Sequence, residues 1–302
     1  MSAFRARLQL LAAAFLFSTG GMAVKATDFT NWQVAGLRSG LAAVVLLLFL
    51  PRARQRWTWR AAVVGLAYAA TLILFVSANK TTTAANAIFL QATAPIYIVF
   101  LAPWLLGERA TRRDLGLLAV VAIAFAMIAL GHQEASASAP DPGLGNLLAG
   151  FAGLTWALTV VGIRWLENRR HDSASGSSDA PVAVVLGNLY VFVGCAPLAF
   201  PVGAAEPTDW LWLAFLGIFQ VGLAYVLLTT AMGSVPALEA SLLLLVEPVF
   251  NPLWAFLVHG EQPGPWTSLG GVVLVVGTAA KAWLDARHRR RERREQQERQ
   301  AS

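Results

Sequence analysis

Glu247 and Arg38 are the ionisable residues whose positions suggest chemistry, because each lies well inside a long apolar segment. Glu247 belongs to the stretch Val246-Glu-Pro-Val-Phe250. An ionised carboxylate that faces lipid costs about 2.5–3.5 kcal/mol or more, so Glu247 is expected to face protein or water. Three roles remain open for it: taking up a proton, holding the amino group of a ligand, or capping a bend as a structural group. The sequence leaves open whether Glu247 and Arg38 meet.

Two prolines in the middle of apolar segments predict helix kinks. Pro95 and Pro248 lack a backbone N–H and crowd the preceding turn, which bends or loosens a helix. The carbonyl groups freed in this way must be satisfied by protein or by water in a cavity. We predict paired kinks that flank a central path, with a static bend that merely fits the bundle as the alternative.

Aromatic and polar residues within the apolar segments indicate a polar interior. All four tyrosines lie in such segments, and a buried tyrosine hydroxyl needs a hydrogen-bond partner. Spacings of three or four residues also align side chains on one face of each proline-containing segment. The resulting candidates for the wall of a cavity are Tyr68, Asn86, Thr93, Tyr97, Trp156, Tyr225, Glu239, Val246, Phe250 and Trp254. Ordinary helix packing explains each aromatic residue singly, but explains the group less well.

The composition predicts an all-α integral membrane protein. Of the 302 residues, 57% are hydrophobic and only 13% are charged, whereas soluble domains carry about a quarter charged residues. The apolar blocks are about 20 residues long, which is enough to cross the hydrocarbon layer as helices. The ten predicted spans are 6–24, 33–50, 60–78, 86–106, 114–131, 145–166, 181–201, 210–230, 237–259 and 266–284. The single Cys195 forms no intramolecular disulfide and no metal or redox motif, and no cofactor is expected.

The placement of Lys and Arg predicts the orientation. With ten spans both termini lie on one side, and assigning them to the cytosol places twenty of the 23 basic residues there. Only Lys25 and Lys80 then lie outside, and Arg38 lies within the membrane. We therefore predict a multi-pass protein of the cell (inner) membrane with both termini cytosolic. The net charge of +6 mostly reflects this concentration of basic residues on the cytosolic side, and nothing in the sequence indicates nucleic-acid binding.

The chain repeats itself at an offset of 153 positions. Trp57 and Trp59 fall on Trp210 and Trp212, Pro95 falls on Pro248, and Gly107-Glu108 falls on Gly260-Glu261. Each half contains five spans, an odd number, so the second half enters the membrane in the opposite direction. Inverted repeats of this kind are typical of transporters whose substrate site lies near the midplane between the halves.

The repeat predicts four regions. These are a first five-helix repeat at 1–131, an external connector at 132–144, a second, inverted repeat at 145–284, and a basic cytosolic tail at 285–302.

The motifs resemble those of the drug/metabolite transporter superfamily, in particular its ten-helix exporters with two EamA-type halves. The resemblance rests on Ala94-Pro95, on the stretch Leu106–Arg109, on Glu247-Pro248, and on His259–Glu261, which Leu269-Gly270 follows. Arg38 and Trp156 also resemble family positions, whereas span one has Phe17 where the family often has Trp. The resemblance implies export of amino acids and other small metabolites, including aromatic amino acids.

We therefore expect a secondary carrier whose partners are a small-molecule substrate and the lipid bilayer, working by alternating access between the two repeats. Coupling to protons, the substrate's identity and the oligomeric state are left open by the sequence. The rival classes are a channel-like facilitative pore, for which no filter or charge ring is visible, and an intramembrane enzyme. An intramembrane protease would need paired acidic or Ser/His groups at depth, and no Asp lies well inside a span.

Overall fold

The computed structural model describes residues 3–106, 112–131, 134–169, 179–232, 243–244, 246–277, 279–280, 283–284 and 287. These residues are almost entirely helical. The helices are Ala3–Ser18, Gly20–Lys25, Asn31–Phe49, Trp59–Thr81, Ala84–Gln91, Ala94–Leu106, Arg112–Leu130, Pro142–Asn168, Ala180–Ala199, Pro207–Ala214, Ala224–Met232, Val246–His259 and Pro265–Gly277, with a 3-10 turn at Pro51–Arg54 and a π-helix at Phe215–Leu223.

Within the described residues, seven helical segments are long and apolar enough to cross a membrane. They are Phe4–Lys25, Asn31–Phe49, Trp59–Thr81, Ala84–Leu101, Pro142–Leu166, Ala180–Ala199 and Pro207–Ala231. Three shorter apolar helices, Leu115–Ile128, Val246–His259 and Pro265–Gly277, coincide with predicted spans five, nine and ten. The prediction of an all-α membrane protein with ten spans is therefore confirmed, and the spans keep these numbers below.

Threonine side chains begin three of the spans. The hydroxyls of Thr30, Thr58 and Thr83 accept hydrogen bonds from the backbone N–H three residues ahead, at 3.2–3.3 Å. At Thr30 the side chain of Gln33 returns the contact to the Thr30 N–H, which completes a capping box. These bonds satisfy backbone donors that the helix itself leaves unpaired.

Within the described residues, three spans are interrupted, and the sequence predicted only one of these breaks. Span one breaks at Thr19 between two helices, and span eight contains the π-helix Phe215–Leu223. Span four ends its first helix at Gln91 and restarts at Ala94, immediately before Pro95. In span nine, Pro248 lies within the described helix Val246–His259.

The break in span four corrects one detail of the predicted cavity wall. Asn86 lies in the helix Ala84–Gln91, whereas Tyr97 lies in the next helix, Ala94–Leu106. Because the turn at Ala92 and Thr93 separates the two helices, the predicted residues of span four do not share one continuous helical face.

Helix packing follows the twofold relation between the halves. Each span of the first half corresponds to the span five positions later in the second half, so span one corresponds to span six and span three to span eight. The contact between spans three and six therefore corresponds to the contact between spans eight and one. Both contacts are present, as are the related pairs four–six with nine–one and three–seven with eight–two. The pairs two–seven and four–nine map onto themselves and are also present. The described contacts thus have the pattern of two duplicated halves packed against each other.

Contacts between connections show that the halves run in opposite directions. The connections after spans one, three, five and nine meet around Lys25, which contacts Thr82, Ser138 and Glu261. The connection after span seven joins them, because the Asp28 N–H donates to Asp209 at 2.9 Å. On the opposite side, Thr58 after span two donates to Asp179 before span seven at 2.7 Å. Span six therefore starts where span one ends. We call the two sides the Lys25 face and the Thr58 face.

Candidate functional site

A cavity of about 150 Å³ lies in the middle of the bundle. Its wall comes from spans one, two, three, four, six, eight and nine, so both halves contribute. Six lining residues belong to the sequence-predicted sets: Arg38, Tyr68, Trp156, Tyr225, Glu247 and Pro248. Other lining residues were not predicted from the sequence, and the most informative of these are Phe17, Thr71, Phe75, Gln91 and Gln220.

Arg38 is a buried cation with incomplete hydrogen bonding. Its side chain is 1% exposed. One terminal nitrogen lies 3.3 Å from the carbonyl oxygen of Leu72 and the other lies 3.5 Å from Oε1 of Gln220, while Nε has no partner among the residues that the structure describes. A guanidinium carries five N–H donors, so Arg38 retains donors that an anionic ligand group in the cavity can use.

Gln220 and the irregular backbone of span eight hold Arg38 in place. Gln220 lies in the π-helix and also donates to the carbonyl of Phe17, at 3.5 Å, close to the break in span one. Gly217 in the same π-helix packs so closely on span two that an added Cβ would lie 2.8 Å from the carbonyl oxygen of Arg38. Single π-helical turns are frequent at functional sites because they shift the register of side chains.

Aromatic rings form one side of the cavity. Tyr225 contacts Phe17 and Tyr68 edge to face, with ring centroids 5.1 and 5.3 Å apart. Tyr68 is 1% exposed, and its hydroxyl oxygen makes no hydrogen bond within the described part of the chain. Together with Trp156 and Phe75, these rings supply an apolar surface with polar tips, which suits a ligand that has both characters.

Glu247 supplies the opposite charge. It lies in the helix Val246–His259 and faces the same cavity as Arg38. Within the described residues, no salt bridge joins Glu247 to Arg38. A buried cation and an acid therefore line one cavity without neutralising each other. Buried charges are normally paired, so the arrangement leaves two groups of opposite sign for a ligand.

The other sequence-predicted residues take part in helix packing. Asn86 is buried and contacts Thr267 Oγ1 at 2.7 Å and Asn146 at 2.9 Å. Tyr97 donates to the Gly150 carbonyl at 3.4 Å, and Trp254 donates to Ser18 Oγ at 3.0 Å. Phe250 packs on Trp254.

Thr93 and Val246 are also absent from the cavity wall. Buried Thr93 bonds to the carbonyl of Leu90 within its own turn, and half-buried Val246 does not line the cavity. Glu239, the Gly107-Glu108 pair and most of the predicted tail at 285–302 lie outside the described residues.

On the side of the cavity toward the Lys25 face, the helices form a tightly packed layer. Gly21 lies in this layer, and an added Cβ there would be 2.6 Å from Asn251 Oδ1 and 2.9 Å from both Asn79 Oδ1 and Ala84 Cβ. Asn79 Oδ1 and both side-chain polar atoms of Asn251 are buried without hydrogen-bond partners in the described part of the chain. Unsatisfied buried polar groups are costly, so this layer is sealed at the expense of stability.

Above that layer, a buried ion pair ties the halves together at the Lys25 face. Lys25 Nζ lies 3.5 Å from Glu261 Oε2, with side-chain exposures of only 5% and 3%. Glu261 also accepts the Ala84 N–H at 2.7 Å. Burial raises the pKa of the Glu261 carboxyl group, while the Lys25 charge and the Ala84 N–H offset part of that rise. In the sequence, Glu261 marks the repeat and the family resemblance and Lys25 marks the topology, but neither position predicts this ion pair.

Comparison with known proteins settles the class of the molecule. The model of the EamA-like transporter family matches residues 5–130 and 143–280, one match in each half. The chain belongs to the EamA-like transporter family. This confirms the resemblance inferred from the motifs and makes the chain a multi-pass membrane transporter.

Relatives of this EamA-like transporter include two proteins that are similar over much of their length. A pseudopaline exporter, CntI, of Pseudomonas aeruginosa is 27% identical over 89% of this chain and 92% of its own. An uncharacterized transporter of Archaeoglobus fulgidus is 27% identical over 66% of this chain and 67% of its own. A crystal structure matches with a TM-score of 0.62 over 95% of this chain and 99% of the other, at 23% identity, which shows the fold alone.

The two tryptophans predicted to line the cavity are expected to behave differently in this EamA-like transporter. Trp156 lines the cavity, whereas Trp254 packs against Phe15 and Phe250 and bonds to Ser18. Trp156→Ala removes an aromatic ring from the cavity wall and should lower transport by roughly 5- to 10-fold, because one aromatic contact is worth about that factor. Trp254→Ala should lower the melting temperature and leave the half-saturation concentration near that of the wild type. Uptake into proteoliposomes measures transport by each variant, and thermal unfolding measures its stability. Equal transport defects in the two variants would contradict the assignment of Trp156, and not Trp254, to the cavity wall.

Breaking the Lys25–Glu261 pair should be costly at neutral pH. Lys25→Met leaves the buried Glu261 carboxylate without its cation, and breaking a buried pair in this way costs roughly 3–5 kcal/mol. The pKa of Glu261, already raised by burial, rises further without Lys25. The folded variant then binds a proton more tightly than the unfolded chain, so stability relative to wild type should recover as pH falls.

Thermal unfolding in detergent between about pH 8 and pH 5 measures this recovery. The matched control is the double variant Lys25→Met/Glu261→Gln, which removes both charges. It should be more stable than Lys25→Met at high pH and should lack the recovery at low pH. A single variant whose stability deficit does not change with pH would contradict the prediction.

Proposed function

We propose that this transporter exports small zwitterionic metabolites, most directly amino acids with an aromatic or hydrophobic side chain. The observation that carries the proposal is the presence of Arg38 and Glu247 in one cavity without a salt bridge between them. A substrate carboxylate suits the free donors of Arg38, and a substrate ammonium group suits Glu247. Trp156, Phe75 and the rings around Tyr225 then cover the side chain.

Export as the direction is supported by the relatives. The protein of Pseudomonas aeruginosa that is similar over 89% of this chain is a pseudopaline exporter. A metabolite exporter also agrees with what the motif resemblance implies.

Alternating access between the two halves is the proposed mechanism. The packed layer around Gly21 and the Lys25–Glu261 pair support a state closed toward the Lys25 face. Opening that face would break the pair and admit water to the unpartnered amides of Asn79 and Asn251. The gain of these hydrogen bonds offsets part of the cost of breaking the pair, which keeps the two states close in free energy.

Proton coupling follows from the same carboxylate. An ionised Glu247 in an empty, sealed cavity is costly, whereas Glu247 bound to an ammonium group or carrying a proton is not. A carrier that returns empty only when Glu247 is protonated exchanges one proton for one substrate. Glu247 thus combines the two functional roles left open by the sequence, and proton–substrate antiport is our proposal for the coupling.

The proposed function is tested by counterflow in proteoliposomes. Vesicles loaded with unlabelled phenylalanine, leucine or a non-zwitterionic metabolite are diluted into a trace of labelled phenylalanine, and uptake is followed. We expect labelled phenylalanine to accumulate only when the internal substrate is zwitterionic. We also expect a proton gradient directed into the vesicles to stimulate efflux of the substrate. Accumulation driven equally well by anionic sugars or by neutral polyols would overturn the substrate assignment.

The proposed orientation puts the Thr58 face in the cytosol. That face carries Arg52, Arg54, Arg56 and Arg60 within the described residues, whereas the Lys25 face carries Lys25 and Lys80, and basic connections are retained in the cytosol. In a Cys195→Ala background, a cysteine at Arg54 should be labelled only after the membrane is permeabilised, and one at Ser136 should be labelled in intact cells. The reverse pattern would invert the topology.

A further inference from the structure

A cluster of two tryptophans and two arginines lies at the Thr58 face, away from the cavity. Trp59 of span three and Trp165 of span six meet edge to face with centroids 6.2 Å apart. The guanidinium carbon of Arg60 lies 5.7 Å from the centre of one ring and 5.9 Å from the other. Arg169 lies over Trp165 at 5.0 Å. Two cations are therefore held against the same indole.

The cluster faces outward rather than into the bundle. Trp59 is 68% exposed and Arg169 is exposed, whereas Arg60 is half-buried and its Nε atom is buried without a hydrogen bond within the described residues. The nearby acid Asp179 accepts a hydrogen bond from Thr58. Within the described residues, no salt bridge neutralises Arg60 or Arg169. The site thus presents positive charge and unused donors at a helix end, beside rings of the type that lie at headgroup depth.

We propose that this cluster, Trp59, Arg60, Trp165 and Arg169, binds the phosphate of an anionic phospholipid. A planar guanidinium matches two phosphate oxygens at once, and Arg remains charged at every relevant pH. Basic pockets between helices at the headgroup level recognise anionic lipids in this way. The acyl chains of the lipid would lie along the exposed apolar surface of span three, where Val63 and Leu66 are 59% and 64% exposed.

The geometry distinguishes this site from an ordinary aromatic belt. A belt residue needs only one ring at the interface and leaves its neighbours free to move. Here each guanidinium is held by an indole, and the indoles are held by each other across two spans that belong to different halves. Holding the donors in advance reduces the side-chain entropy lost on binding, so the site should favour one lipid over many weak contacts.

Lipid binding to the purified full-length protein tests the site. The protein is held in a neutral detergent, and thermal stabilisation is titrated with phosphatidylglycerol, with phosphatidylcholine, and with inorganic phosphate. We expect phosphatidylglycerol to stabilise the wild type with saturation and the other two compounds to have little effect. The double variant Arg60→Gln/Arg169→Gln should need roughly 10-fold or more phosphatidylglycerol for the same stabilisation, because it loses charge-assisted hydrogen bonds.

The matched control is Arg52→Gln/Arg56→Gln, which removes the same charge from the same face but not from the indole cluster. It should keep the wild-type titration, and a Trp165→Leu variant should weaken it although no charge is lost. Equal weakening in the control would show that only net charge matters and would overturn the site. Full stabilisation by inorganic phosphate would overturn the lipid as its ligand. The melting temperature without lipid verifies that each variant is folded.

Discussion

Replacing Arg38 by Gln is expected to raise the half-saturation concentration of carboxylate-bearing substrates by roughly 10- to 100-fold, because a hydrogen bond to a charged group is worth about 1.5–3 kcal/mol. Arg38 is buried in the cavity wall, and its donors are only partly used by Leu72 and Gln220. Gln keeps a donor for the wall and removes the charge. Initial rates of exchange in proteoliposomes measure the effect.

Two comparisons separate binding by Arg38 from a role in folding. Arg38→Lys keeps the charge but loses the planar pair of donors, so its half-saturation concentration should lie between those of the wild type and Arg38→Gln. Arg54→Gln removes an exposed charge outside the cavity and should transport like the wild type. If Arg38→Gln transports normally at unchanged stability, the substrate carboxylate does not bind there.

Replacing Glu247 by Gln is expected to abolish proton-driven export and also to weaken exchange of amine-bearing substrates. Gln preserves shape and hydrogen bonding but neither ionises nor pairs with an ammonium group. In our account one carboxylate serves both the proton and the amine, so both activities fail together. The measurements are pH-driven efflux and substrate exchange on the same preparation of proteoliposomes.

The alternative roles of Glu247 give different results. A carboxylate that carries only the proton would leave exchange intact in Glu247→Gln, because exchange moves no net proton. A purely structural carboxylate would tolerate Gln and lose thermal stability in Glu247→Leu without a specific transport defect. Either pattern would contradict the dual role, and normal transport by Glu247→Leu at unchanged thermal stability would leave the residue without any of the three functions.

Much of the fold was predictable because it depends on long-range composition and repetition. The length of the apolar blocks determines the spans, and the fixed offset that aligns Trp57, Pro95 and Gly107 with the second half reveals the duplication. The packing pairs then follow from symmetry. The break at Thr19 was not predicted, because it depends on local hydrogen bonds: the Ser18 and Thr19 hydroxyls bond to the carbonyls of Phe15 and Leu16.

The candidate site was predictable where a residue is chemically costly in a membrane. Arg38 and Glu247 stood out from the sequence for that reason, and both line the cavity. Gln91 and Gln220 carried a weaker form of the same signal, as amides within apolar runs, and were overlooked. Tyr97 and Trp254 were chosen by residue type and spacing alone, which do not tell a helix contact from a cavity wall. Which face of a broken helix points inward depends on tertiary packing.

The central claim is that one cavity recognises both charges of a zwitterion, and competition by matched analogues tests it most directly. Phenethylamine lacks the carboxylate of phenylalanine, and 3-phenylpropionate lacks the ammonium group, whereas the aromatic ring is common to all three. Inhibition of labelled phenylalanine exchange is measured with the wild type, Arg38→Gln and Glu247→Gln. We predict that both analogues compete at least roughly 10-fold more weakly than phenylalanine in the wild type. We also predict that the penalty for lacking the carboxylate disappears in Arg38→Gln and that for lacking the ammonium group disappears in Glu247→Gln. Equal competition by all three compounds, or penalties unchanged in both variants, would contradict the account.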